Sequence, residues 1–263
     1  MSAIGLNGVR LKIIRADEHL KAILTLLRGM TYGECKIIPE INEELNCGIQ
    51  RISLPKPPDS LSIVVGDFLF NIRSALDQLL WQLVLVNNST PGTSNMFIIA
   101  ETAESFTKQV KRGKLEGTSA QVQALIESLQ PYHRRNGNES LITLARMHNT
   151  DKHQTINLTT AVAQDTLIDW VGNTSSMGMF LGSEELRDGA IFGDIMLPLN
   201  NPDFPITSER FLKMKMEGHA ALFVAFEQPT ADELEPFRVD AVLQGIIDFV
   251  KDRIIPTFEP FFA

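Results

Sequence analysis

Cysteine is scarce in this chain. Cys35 and Cys47 are the only two in 263 residues, and their spacing fits neither a metal motif nor a redox pair. A disulfide scaffold is excluded, and reduced thiols in the cytoplasm are expected. Positive charge is also in short supply: 24 Lys and Arg face 32 Asp and Glu, for a net charge of −8. That excludes a generally basic nucleic-acid surface, though not a local patch. The 19 aromatic residues are not interleaved with basic ones as in single-strand binders. Asp67, Arg73 and Asp77 interrupt the longest apolar stretch, so no membrane span is expected. The first fifteen residues lack the long apolar core of a signal peptide. Three common catalytic signatures are missing: a Gly-x-Ser-x-Gly elbow, a Gly-rich loop ending in Gly-Lys-Ser/Thr, and His-Glu-x-x-His. No cofactor is implied. No internal repeat or low-complexity tract breaks the chain.

What is present is 44% hydrophobic and 21% charged, the composition of an ordinary globular protein. Residues 59–88 stand out as one long helix. Pro57 and Pro58 close the preceding segment, and Asp59 or Ser60 caps the first turn. Leu61, Val64, Val65, Phe68, Leu69, Ile72, Ala75, Leu76, Leu79, Leu80 and Leu83 recur at three- and four-residue steps. Such a helix belongs at the centre of a fold. Its polar residues fall in two rows. Asp67, Asn71, Ser74, Gln78 and Gln82 form one stripe; Arg73 and Asp77, four apart, form a second and can pair. Buried polar groups need partners, so another element is expected to answer them.

The remaining elements follow from periodicity and turn signals. Residues 9–28 read as an amphipathic helix ended by Gly29, and residues 34–39 and 48–54 as a β-hairpin. Residues 96–100 are extended. Helices are expected over 101–112, over 119–130 and from Asn138, as cap, to about Asp151 or His153. After Thr155 the texture turns to strands, over 156–163, 166–171, 177–181, 190–197 and 219–227. Thr230 and Glu233 form a capping box for a closing helix over 236–255, ended by Pro256. Helices and strands are segregated, which makes the fold class α+β: a helical core around the long helix, a β-hairpin, and a C-terminal antiparallel sheet with a closing helix. The chain is expected to form a single unit, with lobes at residues 1–154 and 155–263.

A second polar concentration lies at His148, Asp151, Lys152 and His153. If its helix packs along the central one, it can meet the stripe of Asp67, Asn71, Ser74 and Gln78. His148 or His153 can then act as general acid or base, oriented by Asp151, with Lys152 beside them. Arg73 could hold a phosphate or carboxylate through its planar fork, with Asp77 as its partner. The bland alternative is a satisfied core network and a helix C-terminus whose Lys and His face the dipole. Residues 148 and 153 stand about 140° apart on a helix, so no metal site is expected there.

Three phrases carry a family likeness: Gly66-Asp67-x-x-x-Asn71-x-Arg73-Ser74-Ala75-Leu76-Asp77-Gln78-Leu79, then Leu129-Gln130-Pro131-Tyr132, then Asp151-Lys152-His153. They resemble an uncharacterised family of bacterial proteins, and the likeness spans most of the chain without lending an activity. Arg73 on a helix of a helical core is also similar, more distantly, to the HEPN superfamily (higher eukaryotes and prokaryotes nucleotide-binding). Its active members are metal-independent ribonucleases. Here Gln78 stands where that pattern has His, and an amide cannot shuttle a proton. The expected function is a non-catalytic or ligand-binding bacterial protein whose central helix carries a polar network. The alternative is an HEPN-like metal-independent ribonuclease or nucleotide-binding protein. Partners would be a small molecule, a nucleotide or RNA, with a homodimer open.

Overall fold

The computed structural model describes residues 4–44, 47–134, 138–162, 167–171, 177–180, 187–191, 197–198, 207–213, 216–227 and 238–263. In chain order these form α1 (Asn7–Arg28), β1 (Tyr32–Asn42), β2 (Cys47–Ser53), α2 (Asp59–Val86), α3 (Ala103–Lys111), α4 (Ala120–Ser128), a 3-10 turn (Pro131–His133) and α5 (Glu139–His153). Next come β3 (Leu158–Val162), β4 (Leu167–Val171), β5 (Met177–Phe180), β6 (Leu197–Pro198), α6 (Ser208–Leu212) and β7 (Met216–Phe226). The chain closes with α7 (Val239–Phe249), a π turn (Val250–Ile254), α8 (Ile255–Phe258) and a 3-10 turn (Glu259–Phe262). The fold is α+β.

Two compact units share these elements. One comprises Met1–Thr25, Asp59–Asn157 and Gln228–Ala263; the other comprises Leu26–Pro58 and Leu158–Glu227. One crossing of the chain falls near the expected change at Thr155. The hairpin groups with the later strands because β1 needs a partner on its second edge and finds β7. The closing helix groups with the earlier helices because its apolar face packs on α5.

In the helical unit, α2 buries Leu61, Val65, Phe68, Leu69, Ile72, Ala75, Leu76, Leu79, Leu80 and Leu83, while Val64 is half-buried. Each fully buried Leu, Ile or Phe contributes about 1.5–3 kcal/mol. α1 contributes Val9, Ile13, Ala16, Leu20 and Ile23. Two ion pairs tie α1 to the C-terminal segment, Lys251–Asp17 and Arg10–Glu259, each at 2.7 Å. α7 buries Val239, Leu243, Ile246, Ile247 and Phe249. Pro256 does not end the closing helix as expected. The π turn breaks the α register first, and Pro256 sits in the first turn of α8, where a missing N–H costs nothing. Asn138 is not a side-chain cap either. It lies in helical backbone and its amide donates to the carbonyls of Ser128 (3.4 Å) and Gln130 (3.3 Å).

In the β unit all described pairings are antiparallel, in the order β5-β4-β7-β1-β2-β6, with β3 also on β7. The hairpin register ends at Asn42↔Cys47. Alternation along β1 sends Cys35 and Ile37 to the core with Ile52, Leu54, Val162, Ala220 and Leu222. The Phe211 ring lies flat on Gly48, within 2.7 Å of where a β-carbon would stand. The capping box at Thr230 and Glu233 and most of the strand expected over 190–197 lie outside the described residues.

Candidate functional site

α2 advances about 100° per residue, so its neighbours can be read around its circumference. The flank carrying Asn71, Gln78 and Gln82 faces α1. Gln82 Oε1 accepts the Gly5 N–H at 3.0 Å, and Lys12 Nζ donates to Asn71 Oδ1 at 3.4 Å. Gln78 Oε1 would stand 3.2 Å from a β-carbon at Gly8, so that glycine makes room for it. The Asn71 amide also donates to the Asp67 carbonyl at 2.8 Å. The expectation that groups near residue 150 answer this stripe is therefore corrected. α1 and the residues just before it answer most of it: Gly8 makes room for Gln78, and the Gly5 N–H donates to Gln82. Ser74 is half-exposed between the two flanks.

The opposite flank holds a backbone clamp. Arg73 donates to both carboxylate oxygens of Asp77, at 3.2 and 2.8 Å. Arg73 Nη2 also donates to the Phe97 carbonyl at 2.7 Å, and Asp77 Oδ1 accepts the Phe97 N–H at 2.9 Å. The pair thus offers the extended residues 97–100 what a neighbouring strand would. Gln130, fully buried, continues the pattern. Its Oε1 accepts the Ala100 N–H at 2.8 Å, and its Nε2 donates to the Ile98 and Ile126 carbonyls, each at 2.9 Å. Backbone polar groups buried without a ladder need such partners.

Asp151, at the end of α5, reaches only the N-terminal part of the stripe. Its carboxylate lies so close to Gly66 that no β-carbon would fit between them. Burial, and then the Asp67 charge nearby, push its carboxyl above the usual range. Ser62, Ile63, Gly66, Asp67 and Phe70 from α2, with Asp151, Gln154 and Thr155, line an open cleft of about 350 Å³. Among the described residues, neither the Asp67 nor the Asp151 carboxylate takes a hydrogen bond or an ion pair. Lys12 Nζ stands 5.4 Å from the centre of the Phe70 ring. His19 of α1 also senses Asp67, but burial and Arg15 outweigh that and hold its imidazole below the usual value.

The expected site residues thus divide between two places on α2. Asp67 and Asp151 share the cleft, with Asn71 tied to Lys12 beside it. Arg73 and Asp77 grip Phe97. His148 is buried on the Arg73 side, at 8% exposure. Burial, then Lys152 and Arg73, push its imidazole down to about 4, so it is neutral near pH 7. Lys152 and His153 are exposed, and neither lines the cleft. Sequence reasoning missed Ile63 and Phe70, 65% and 55% exposed, and the surrogate-strand role of Gln130. The signal for the first was available: two large apolar residues seven apart on the polar side of an apolar pattern. Among the described residues no group of three His, Cys, Asp or Glu is placed to hold a metal. None of the described helices is long and apolar enough to cross a membrane. Comparison with known proteins matches this chain to no family model, no curated protein and no solved structure.

Proposed function

We propose that this chain is a binding protein and that its ligand seats a cationic group between Asp67 and Asp151. The observation that carries the reading is the pair of carboxylates opening on one cleft without a hydrogen bond or ion pair among the described residues. Two like charges held close repel, and the cost is relieved by a proton or by a bound cation. The cleft volume is within the range of small-ligand sites, and the Gln154 amide with the Ser62 and Thr155 hydroxyls supplies orienting hydrogen bonds. Binding is favoured over RNA cleavage because the Arg73 fork is already engaged by Asp77 and Phe97, and because His148 is buried.

The experiment is an NMR titration of the labelled chain with n-butylammonium and, in parallel, n-butanol. The cation is expected to shift the amides of Gly66, Asp67, Asp151 and Gln154, and the alcohol is not. The response is expected to vanish in Asp67→Asn/Asp151→Asn. Equal shifts from both probes, or none from either, would overturn the reading.

A further inference from the structure

α2 is buried around most of its circumference, yet it leaves three large apolar side chains in solvent. Ile63, Phe70 and Trp81 are 65%, 55% and 43% exposed. Separations of seven and eighteen residues place all three within about 20° of one line along the helix. That line runs between the two flanks already described. On one side are Asn71, Gln78 and Gln82 with α1; on the other are Gly66, Arg73 and Asp77 with the end of α5 and the Phe97 segment. Single exposed apolar residues are common, but a row of three on the central helix of a unit marks a contact surface.

The row is longer than a small ligand. From Ile63 to Trp81 it extends about 27 Å at 1.5 Å per residue, and the cleft occupies only its first two turns. Asp67, one turn from each of Ile63 and Phe70, lines the cleft with them, and so does Asp151 of α5. The occupant must therefore cover apolar anchors spaced by helical turns and bring positive charge to one end. A second copy of this chain matches poorly. It would bring Asp67, Asp77 and Asp151 again, while its Arg73 is engaged by Asp77 and its Lys12 by Asn71 and the Phe70 ring. The chain as a whole is acidic, at −8.

We infer that the exposed line of α2 docks a basic amphipathic helix of another protein, which places a Lys or Arg side chain between Asp67 and Asp151. The inference rests on the reading of the cleft as a cation site and extends it from a small ligand to a polypeptide. Apolar residues seven and eighteen positions along the partner helix cover Phe70 and Trp81 once a first has covered Ile63, in the manner of helix-in-groove recognition. Charge complementarity at the Asp67 end fixes the direction of the partner helix.

The test presents the full chain to a display library of 22-residue helical peptides with randomised faces. Butylammonium is titrated separately. Asp67→Asn/Asp151→Asn and Phe70→Ser/Trp81→Ser serve as variants, with folding checked by circular dichroism. Selected peptides are expected to carry Lys or Arg among apolar residues seven apart, and each double variant is expected to weaken them at least tenfold. Selected peptides without a basic residue, or with unchanged affinity for either variant, would overturn the inference. Butylammonium binding without any peptide enrichment sinks the docking helix and leaves the cation site standing. Peptide binding without butylammonium binding removes the cation site and the basic anchor together. A dimer in sedimentation that Phe70→Ser abolishes would make a second copy the occupant and refute a foreign partner.

Discussion

The Asp151 carboxylate occupies the space beside Gly66 where a β-carbon would stand. Two helices of one unit thereby meet at a point where one residue must be glycine and the other must be short. Gly66→Ala gains about 1 kcal/mol of helix propensity but forces Asp151 to move, and overpacking typically costs about 1–3 kcal/mol. Urea unfolding is expected to show net destabilisation in the natural chain. In an Asp151→Gly background the same change is expected to stabilise. The same sign in both backgrounds would contradict the contact.

The Arg73–Asp77 clamp should behave as one piece of structure. The Arg73 side chain is only 12% exposed, so removing its partner leaves a charge with little water. Asp77→Ala also strands the Phe97 N–H. A loss of about 1–3 kcal/mol is expected, discounted because Asp77 itself is 35% exposed. Arg73→Lys should also destabilise, since an ammonium lacks the fork that reaches Asp77 and Phe97 together. Amide exchange at Phe97 is the local readout, and unchanged protection there in either variant would contradict the clamp.

Gln130 is a sharper case because its amide both accepts and donates. Gln130→Ala abandons one buried N–H and two buried carbonyls, at about 1–3 kcal/mol for a stranded group. Gln130→Glu keeps the acceptor and loses the donor. Near pH 7 it sets a carboxylate against the Ile98 and Ile126 carbonyls. Glu is therefore expected to be worse than Ala at pH 7 and to improve on acidification, when it regains an O–H. Denaturation midpoints for the two variants at pH 7 and pH 5 check this.

His148 gives the folded state a pH dependence of definite sign. The unfolded chain protonates this imidazole near pH 6.5, the folded chain only near 4. In that window the unfolded state binds more protons. The contribution is thus complete above about 6.5 and is lost as pH falls towards about 4. Up to about 3 kcal/mol is at stake, at 1.36 kcal/mol per unit. The raised Asp151 carboxyl acts in the opposite sense, favouring the folded state at lower pH. Comparison with His148→Phe isolates the histidine. The difference in stability between the two proteins should grow steadily as pH rises from 4 to 6.5, and a flat difference would refute the assignment.

Much of this architecture is legible in the sequence because the hydrophobic period is long and clean. α2 spans Asp59–Val86 against an expectation of 59–88, and α5 ends at His153. The pairing of Arg73 with Asp77 was legible too, from their spacing of four. The partners of the polar rows were not. Periodicity gives the direction of a side chain but not which element lies in that direction. Gly8, which admits Gln78, and Gly5, whose N–H meets Gln82, carry no apolar signal of their own. Gln130 reads as an ordinary residue before a proline, because its bonds go to backbone groups some thirty residues earlier. The exposed line on α2 went unread for a related reason. Ile63 and Phe70 look like core residues until the positions of α1 and α5 decide which arc of the helix is left open.

The order of the segments in the two units has a consequence for biosynthesis. The β unit is complete once Glu227 has left the ribosome, whereas the helical unit waits for its last segment, Gln228–Ala263. α1 and α2 are made early, yet the lysine that pairs with Asp17 and the glutamate that pairs with Arg10 follow more than 200 residues later, at Lys251 and Glu259. Nascent chains stalled before residue 238 should therefore carry an unsealed bundle and engage chaperones. Emergence of residues 239–263 is the step that closes it.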